Sequence, residues 1–235
     1  ASSAASDVYK RQLLPDHWKT YEAEVTFGVQ TDTEDIWGNV LKTHDVSKTP
    51  EEIIQAICSF GGTYDQIPPM YSAKKIDGKK LYQLAREGKI VERKAVPVTL
   101  KDIQVLSVKD NKARFIVTCS AGTYIRTLCV DIGKKLGCEA CMSSLTRVMA
   151  GGFSKKQAFT PEKIKELADK NELESRLISI DTALGHFPKV IASNEFEKQL
   201  KNGNAIGSNA VLGLQEASID VCSHDICVRL YLNNN

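Results

Sequence analysis

The stretch Cys119-Ser-Ala-Gly-Thr-Tyr-Ile-Arg126, continuing through Leu128 to Asp131, decides how the rest of the chain is read. It completes an apolar run from Phe115 to Cys119 that predicts a buried strand, and Gly122 lets the backbone turn. Ile125, Leu128, Ile132 and Leu136 then recur at helical spacing, which predicts a helix with one apolar face ending at Gly137. Tyr124 and Arg126 stand where that helix begins. The positive end of a helix dipole favours carboxylates, so an arginine in the first turn opposes the field. Either Arg126 is a plain surface residue, or its planar cation pairs with a buried carboxylate or a phosphate.

Outward from this segment the pattern is that of an α+β protein. Tyr21, Ala23, Val25, Phe27 and Val29 alternate with Glu22, Glu24 and Thr26, predicting a strand with one buried face. A loop rich in Asp and Thr follows from Gln30 to Asn39, in which Asp32 is expected to make an Asx turn. Thr49-Pro-Glu-Glu52 predicts a capped helix start carrying Ile53, Ile54 and Ile57, with Gly61 and Gly62 beyond its end. Pro68 and Pro69 force extended backbone. Gly78 and Gly88 bracket a short basic helix, and strands are expected over residues 98–108, 113–119 and 144–149, the first two joined at Asp110-Asn111. Thr160-Pro-Glu162 opens a further helix by the same cap logic.

The chain has 235 residues, 42% apolar and 26% charged, as in a soluble globular protein of one or two domains. No apolar run approaches the roughly 20 residues of a membrane span. Seven cysteines, an odd number scattered through core-like segments, fit a reducing cytoplasm better than a disulfide scaffold. The net charge of +2 is small, but its distribution is uneven. Residues 70–94 hold eight Lys or Arg against three acids, 8 − 3 = +5; residues 194–235 hold three against five, 3 − 5 = −2. A basic segment interleaved with Tyr71 and Tyr82 suits RNA phosphates and bases, although any single lysine in it reads equally as a solvated face.

The S-A-G-T-Y-I-R run together with Gln66-Ile-Pro-Pro-Met-Tyr-Ser-Ala-Lys-Lys75 resembles the tRNA pseudouridine synthase B family. Lys19-Thr-Tyr21, Gly28-Val-Gln-Thr-Asp-Thr-Glu-Asp35, Gly78-Lys-Lys-Leu-Tyr-Gln-Leu-Ala-Arg-Glu-Gly88 and Leu145-Thr-Arg-Val-Met-Ala-Gly-Gly-Phe153 match in the family's order. The resemblance covers roughly residues 13–160. It implies a pseudouridine-synthase catalytic domain over 13–180, with a central mainly antiparallel sheet and flanking helices. Residues 181–235 resemble, more loosely, the start of a small PUA-like β-barrel that binds RNA, expected to be incomplete. The leader 1–12 matches nothing in the family and is read as foreign to it. Sequence reasoning therefore expects an N-terminally truncated enzyme.

The activity implied is isomerisation of uridine-55 in the tRNA T-loop to pseudouridine, with no cofactor and no metal, by a cytoplasmic monomer whose partner is tRNA. The resemblance assigns Tyr21 to the ring stacked on the flipped base, with proton handling as a second role, Tyr124 to the base pocket, Leu145 to packing against uracil, and Arg126 to pairing with the family's catalytic aspartate. Tyr21 and Leu145 also read as core residues. Tyr71, Ser72, Lys74, Lys75, Lys79 and Lys80 are expected to shape the backbone and contact RNA. The family's nucleophilic aspartate lies in a G-x-L-D-P-x-A-x-G motif that this sequence does not contain, and Ser6-Asp7-Val8-Tyr9 has nothing of it. The chain itself is therefore expected to be inactive. The alternative reading is a non-catalytic tRNA-binding or tRNA-folding protein. A third, a zinc-stabilised module built on Cys138-Glu-Ala-Cys141 with Cys222, His224 and Cys227, lacks a standard second ligand pair and has structural thiols as its simpler explanation.

Overall fold

The computed structural model describes residues 13–14, 18–76, 78–207, 210–214 and 227–233. They fall into two compact units, one made of the described residues from 18 to 158 and the other containing those from 159 onward. The expected foreign leader 1–12 lies outside the described residues.

In the first unit the chain runs β1 (Trp18–Phe27), β2 (Val29–Thr31), β3 (Val40–Thr43), α1 (Pro50–Cys58), β4 (Gly62–Gln66), β5 (Lys75–Ile76) and β6 (Lys79–Lys80). It continues with α2 (Leu81–Arg86), β7 (Val96–Lys109), β8 (Lys112–Ser120), α3 (Ile125–Leu136), β9 (Ala140–Ala150) and β10 (Phe153–Ser154). Six strands form one sheet in the order β10-β9-β1-β8-β7-β4, with every neighbouring pair antiparallel. This is the mixed fold with a large antiparallel sheet that the sequence predicts.

The core lies where α1 and α3 cover one face of the sheet. Ala23, Val25 and Phe27 of β1, Phe115 and Val117 of β8 and Leu100 of β7 meet Ile53 and Ile57 of α1 and Leu128 and Ile132 of α3. The alternation read from Tyr21 to Phe27 holds, but Val29 does not continue it. Gly28 adopts φ +83° and turns the chain into β2, which pairs with β3 instead. Ile54, grouped with the core isoleucines of its helix, is 40% exposed.

Local chemistry accounts for the element ends. Thr49 and Glu52 complete the expected capping box, with Glu52 N to Thr49 Oγ1 at 3.2 Å and Thr49 N to Glu52 Oε2 at 2.8 Å. Asp110 and Asn111 both take positive φ, 51° and 58°, the geometry of a tight hairpin turn between β7 and β8. Gly151 and Gly152 make the same kind of turn between β9 and β10. Gly137 ends α3 in the left-handed conformation.

The second unit contains α4 (Pro161–Asp169), α5 (Ile180–Ala183), β11 (Lys189–Ala192), α6 (Glu197–Lys201), β12 (Val211–Leu214) and β13 (Arg229–Leu232). Its three strands order as β12-β11-β13, with β11 antiparallel to β12 and parallel to β13. The expected PUA-like barrel is not seen among the described residues, and residues 215–226 lie outside them. Arg229 secures this unit through Asp181 Oδ1 at 2.8 Å and the Phe187 carbonyl at 2.8 Å. No described helix is long and apolar enough to cross a membrane.

One glycine separates packing from propensity. Gly133 sits inside α3, where alanine is the better helix former by about 1 kcal/mol. A Cβ there would lie 2.5 Å from the Ala140 Cβ and 2.9 Å from the Cys138 carbonyl oxygen. We expect Gly133→Ala to destabilise the chain by about 1–3 kcal/mol, as overpacking does. A urea melt that showed no loss, or a gain, would mean that the α3–β9 junction yields.

Candidate active site

The site is built around the first turn of α3. Tyr124 is its N-cap residue, with extended backbone and no side-chain cap. The first turn contains no acidic residue of its own, and Arg126 stands in it. The carboxylates that the helix lacks arrive from the loop 32–39. Arg126 Nη1 donates to Asp35 Oδ2 at 3.0 Å and to the Thr33 carbonyl at 3.1 Å, and Nη2 donates to the Tyr71 carbonyl at 2.7 Å. Both members of the ion pair are mostly buried, with side chains 23% and 17% exposed. Next to it, Thr127 Oγ1 donates to Glu34 Oε2 at 2.6 Å. Of the alternatives set by the sequence, pairing with a buried carboxylate is what Arg126 does.

Asp35 also organises its own loop. Its Oδ1 accepts from the Trp37 amide at 3.2 Å and from Thr33 Oγ1 at 2.8 Å. The Asx turn expected at Asp32 therefore belongs to Asp35. Asp32 instead closes the base of the loop, accepting the Asn39 amide at 2.8 Å and Asn39 Nδ2 at 2.9 Å. Gly38 is required here, since a Cβ would approach Thr33 Oγ1 to 2.2 Å and Asp32 Oδ1 to 2.5 Å. The loop is tied to β9 by Ile36 N to Met142 O at 2.8 Å and Met142 N to Glu34 O at 3.0 Å.

A second polar anchor fixes Tyr124. Gln66 is fully buried at the end of β4. Its Oε1 accepts the Tyr124 amide at 2.8 Å, and its Nε2 donates to the Tyr124 carbonyl at 3.1 Å and to the Tyr64 hydroxyl at 2.6 Å. A buried amide with its partners satisfied holds its neighbours in one geometry. Burial pushes the Tyr64 hydroxyl well above its ordinary range, so it stays protonated.

Tyr21, partly buried, packs against the core and pairs across the sheet with Arg147 and Val117. Leu145 lies on β9 opposite Ala23 and is 40% exposed, which sets aside the reading of it as a plain core residue. The basic segment begins at Tyr71, whose carbonyl Arg126 holds, and forms the hairpin of β5 and β6. Register places Lys75 directly opposite Lys80, with Lys74 and Lys79 beside them. The hairpin is fastened by Leu81 N to Lys74 O at 2.8 Å and Tyr82 N to Ser72 O at 3.0 Å. Lys80 and Arg86 both lie over the Tyr82 ring, at 5.5 and 5.4 Å from its centroid. The structure thus joins Arg126 with Tyr71 and, through β5–β6, with the lysines, and it holds Tyr124 two residues away. Asp35 and Gln66 carry the arrangement, and sequence reasoning gave neither a role. The against-dipole Arg126 signalled a carboxylate or a phosphate, and the resemblance gave it the aspartate of the absent motif rather than Asp35; the alternation of Tyr64 and Gln66 along β4 could have marked Gln66 as inward-facing.

The described cysteines are free thiols. Cys138 and Cys141 are buried, and burial raises both thiols above the ordinary value, as it does for Cys129. Cys227 is exposed, and Cys222 and His224 lie outside the described residues. No group of three or more His, Cys, Asp or Glu able to hold a metal ion occurs among the described residues.

Solved structures share this fold. A chain of a Cbf5-Nop10-Gar1 complex superposes with TM-score 0.62 at 23% identity, over 86% of this chain and 54% of that one. A chain from an H/ACA RNP bound to a substrate RNA containing 2′-deoxyuridine gives TM-score 0.66 at 20% identity, over 96% and 58%. Residues 9–125 match the model of the TruB family pseudouridylate synthase N-terminal domain, and residues 126–185 that of the tRNA pseudouridylate synthase B C-terminal domain. The tRNA pseudouridine synthase B of Alkaliphilus oremlandii is 45% identical over 219 residues, covering 93% of this chain and 71% of that protein. The protein of the same name from Clostridium novyi is 43% identical over 200 residues, covering 85% and 68%. The fold and the ordered motifs define a pseudouridine-synthase domain. The chain belongs to the TruB family of pseudouridylate synthases.

Glu34 offers a pH test of the site. Burial raises its carboxyl above the ordinary value, opposed by the Thr127 hydrogen bond and the Arg126 charge. A carboxyl raised in the folded state binds its proton more tightly there than in the unfolded chain. Its stabilising contribution is thus complete below the ordinary carboxylate value and lost as pH rises through the raised one. Glu34→Gln keeps an acceptor for Thr127 and removes the buried charge. We expect this variant to match the parent in chemical melts near pH 4 and to exceed it increasingly towards neutral pH. A difference that stayed constant with pH would refute the assignment.

Proposed function

We propose that this chain binds the T-arm of tRNA and supplies the base pocket for isomerising uridine-55 to pseudouridine. The observation that carries this reading is the guanidinium of Arg126. It is fixed by three hydrogen bonds at a helix start, between a carboxylate loop and a lysine-rich hairpin. The reaction breaks the bond between uracil N1 and C1′, turns the base and forms a bond from C5 to C1′. The C5 proton then leaves and N1 gains one. The uridine must first leave its stack. In this reading Tyr21 stacks on the extruded base, Tyr124 and Leu145 line its pocket, and Arg126 orients a carboxylate. Tyr71, Lys74, Lys75, Lys79 and Lys80 contact the RNA backbone. The catalytic part is assigned to residues 13–180 and an RNA-binding part to 181–235, acting as a cytoplasmic monomer.

The catalytic carboxylate is the missing element, because the sequence contains no G-x-L-D-P-x-A-x-G motif. Asp35, the acid nearest Arg126, has its oxygens committed to Arg126, Thr33 and the Trp37 amide. The 235 residues by themselves therefore act as a binder rather than a catalyst. Relatives named tRNA pseudouridine synthase B support the RNA chemistry assigned to the whole enzyme.

Two results test this. The purified chain should release no tritium from a T-arm stem-loop labelled at uridine C5, since positioning groups do not replace a nucleophile or charge-stabilising carboxylate. Release above background would overturn the inactive reading and call for a substitute acid, with Asp32 and Asp35 first. The same stem-loop should bind with an affinity that falls steeply with salt. Changing Lys74, Lys75, Lys79 and Lys80 together to Gln should reduce the slope of log affinity against log salt by up to about three, at roughly 0.7–0.9 per lost phosphate contact. An unchanged slope would make the hairpin a solvated face and remove the main support for RNA binding.

A further inference from the structure

Trp37 is 91% exposed, more than any other large apolar residue among those described, with Ile90 next at 86%. Its backbone is anything but loose. Its amide donates to Asp35 Oδ1 at 3.2 Å, and Asp35 Oδ2 accepts from Arg126 at 3.0 Å, so one carboxylate links the indole-bearing residue to the centre of the site. On one side Ile36 N is bonded to Met142 O at 2.8 Å; on the other, Gly38 N is bonded to Asp35 O at 3.1 Å. The loop leaves Gly38 no room for a Cβ. A tightly bonded loop is holding a large aromatic ring in solvent. An exposed aromatic on a pre-ordered backbone can anchor a binding surface, because only the ring and not the loop has to be ordered when it is covered.

We infer that Trp37 is a stacking platform for a nucleobase of the bound RNA beside the extruded uridine. Charge decides between RNA and other partners. The loop carries three acids, which would repel phosphates if they faced outward. Each accepts an internal hydrogen bond: Asp32 from Asn39, Glu34 from Thr127 and Asp35 from Arg126. The other arm of Arg126 holds the Tyr71 carbonyl, where the lysine-rich segment starts. The arginine thus joins an exposed ring on one loop to a cationic hairpin on another, which is the pairing of base platform and phosphate contacts that RNA loops require. Extruding one base leaves its neighbour without a stacking partner, and an indole face can take that place.

This inference rests on the RNA-binding reading above and can fail separately from it. The chain has two tryptophans, Trp18 and Trp37. In a Trp18→Phe background, titration with T-arm stem-loop RNA should quench the remaining indole fluorescence, whereas a fully paired RNA duplex of equal length should bind without quenching. By filter binding on the otherwise unaltered chain, Trp37→Ala should weaken stem-loop affinity about tenfold, within the range for loss of one base–aromatic stack. Trp37→Phe should recover most of it. The salt slope should stay that of the parent in both, because no phosphate contact is removed. RNA that binds the parent and Trp37→Ala equally, with no quenching, overturns the platform and leaves RNA binding intact. A parent that binds no stem-loop overturns both.

Discussion

The structure depends on a cation placed where a helix field disfavours it. Arg126 stands in the first turn of α3, and its stability there is borrowed from elsewhere in the chain. Asp35 and the carbonyls of Thr33 and Tyr71 reach it from two other segments. A guanidinium can satisfy three acceptors in fixed directions because its donors lie in one plane; an ammonium at the same place would have the charge without the fork. This geometry makes one side chain the meeting point of the loop 32–39, the lysine hairpin and the helix. Glu34 completes it at a cost, since it holds φ +66° and a carboxyl that burial disfavours as an anion.

Gln66 does for the backbone what Arg126 does for the side chains. The N-terminus of α3 has no capping side chain, and Tyr124 departs from helical geometry. By meeting both the amide and the carbonyl of Tyr124, Gln66 acts as a one-residue strand partner supplied from β4. A buried primary amide has four hydrogen-bonding capacities, and here three are used, on the Tyr124 amide, the Tyr124 carbonyl and the Tyr64 hydroxyl. The position of Tyr124 is therefore set by a residue 58 places earlier in the chain. That is how β4, an edge strand, comes to control the mouth of a helix on the other side of β7 and β8.

Much of the fold could be read from local pattern. Alternation fixed β1 as far as Phe27, cap chemistry fixed the start of α1, and a 3.6-residue apolar spacing fixed α3, because each is dictated by near neighbours. What could not be read is what depends on distant partners. Val29 fits the alternation of β1 but leaves it, since Gly28 turns the chain and the pairing of β2 with β3 takes over. That an acid of the T-D-T-E-D loop meets Arg126 was not read at all, since the resemblance gave Arg126 the aspartate of an absent motif and only the folded loop brings Asp35 to it. Gln66 looked like one polar residue in a motif until its burial showed it could not be a surface one. The four lysines stood out as charge but not as a cluster, for only the register of β5 with β6 sets Lys75 against Lys80.

That register leads to the last physical point. Like charges directly opposite in a two-stranded ribbon destabilise it, and β5 and β6 are only two residues each. The hairpin is held from behind by Leu81 and Leu84 in the interior and by the bonds of Ser72 and Lys74 carbonyls to α2. Tyr82 absorbs part of the repulsion by offering its ring face to both Lys80 and Arg86. None of this neutralises Lys75, and the acids of the segment are fewer than its cations. A fold that concentrates unbalanced cations on a short, well-anchored hairpin, one bonded contact from a fixed arginine, has stored repulsion that a polyanion relieves on binding. In the proposed reading phosphate contact and base handling are linked through Tyr71, since the residue that opens the hairpin is the one whose carbonyl Arg126 holds.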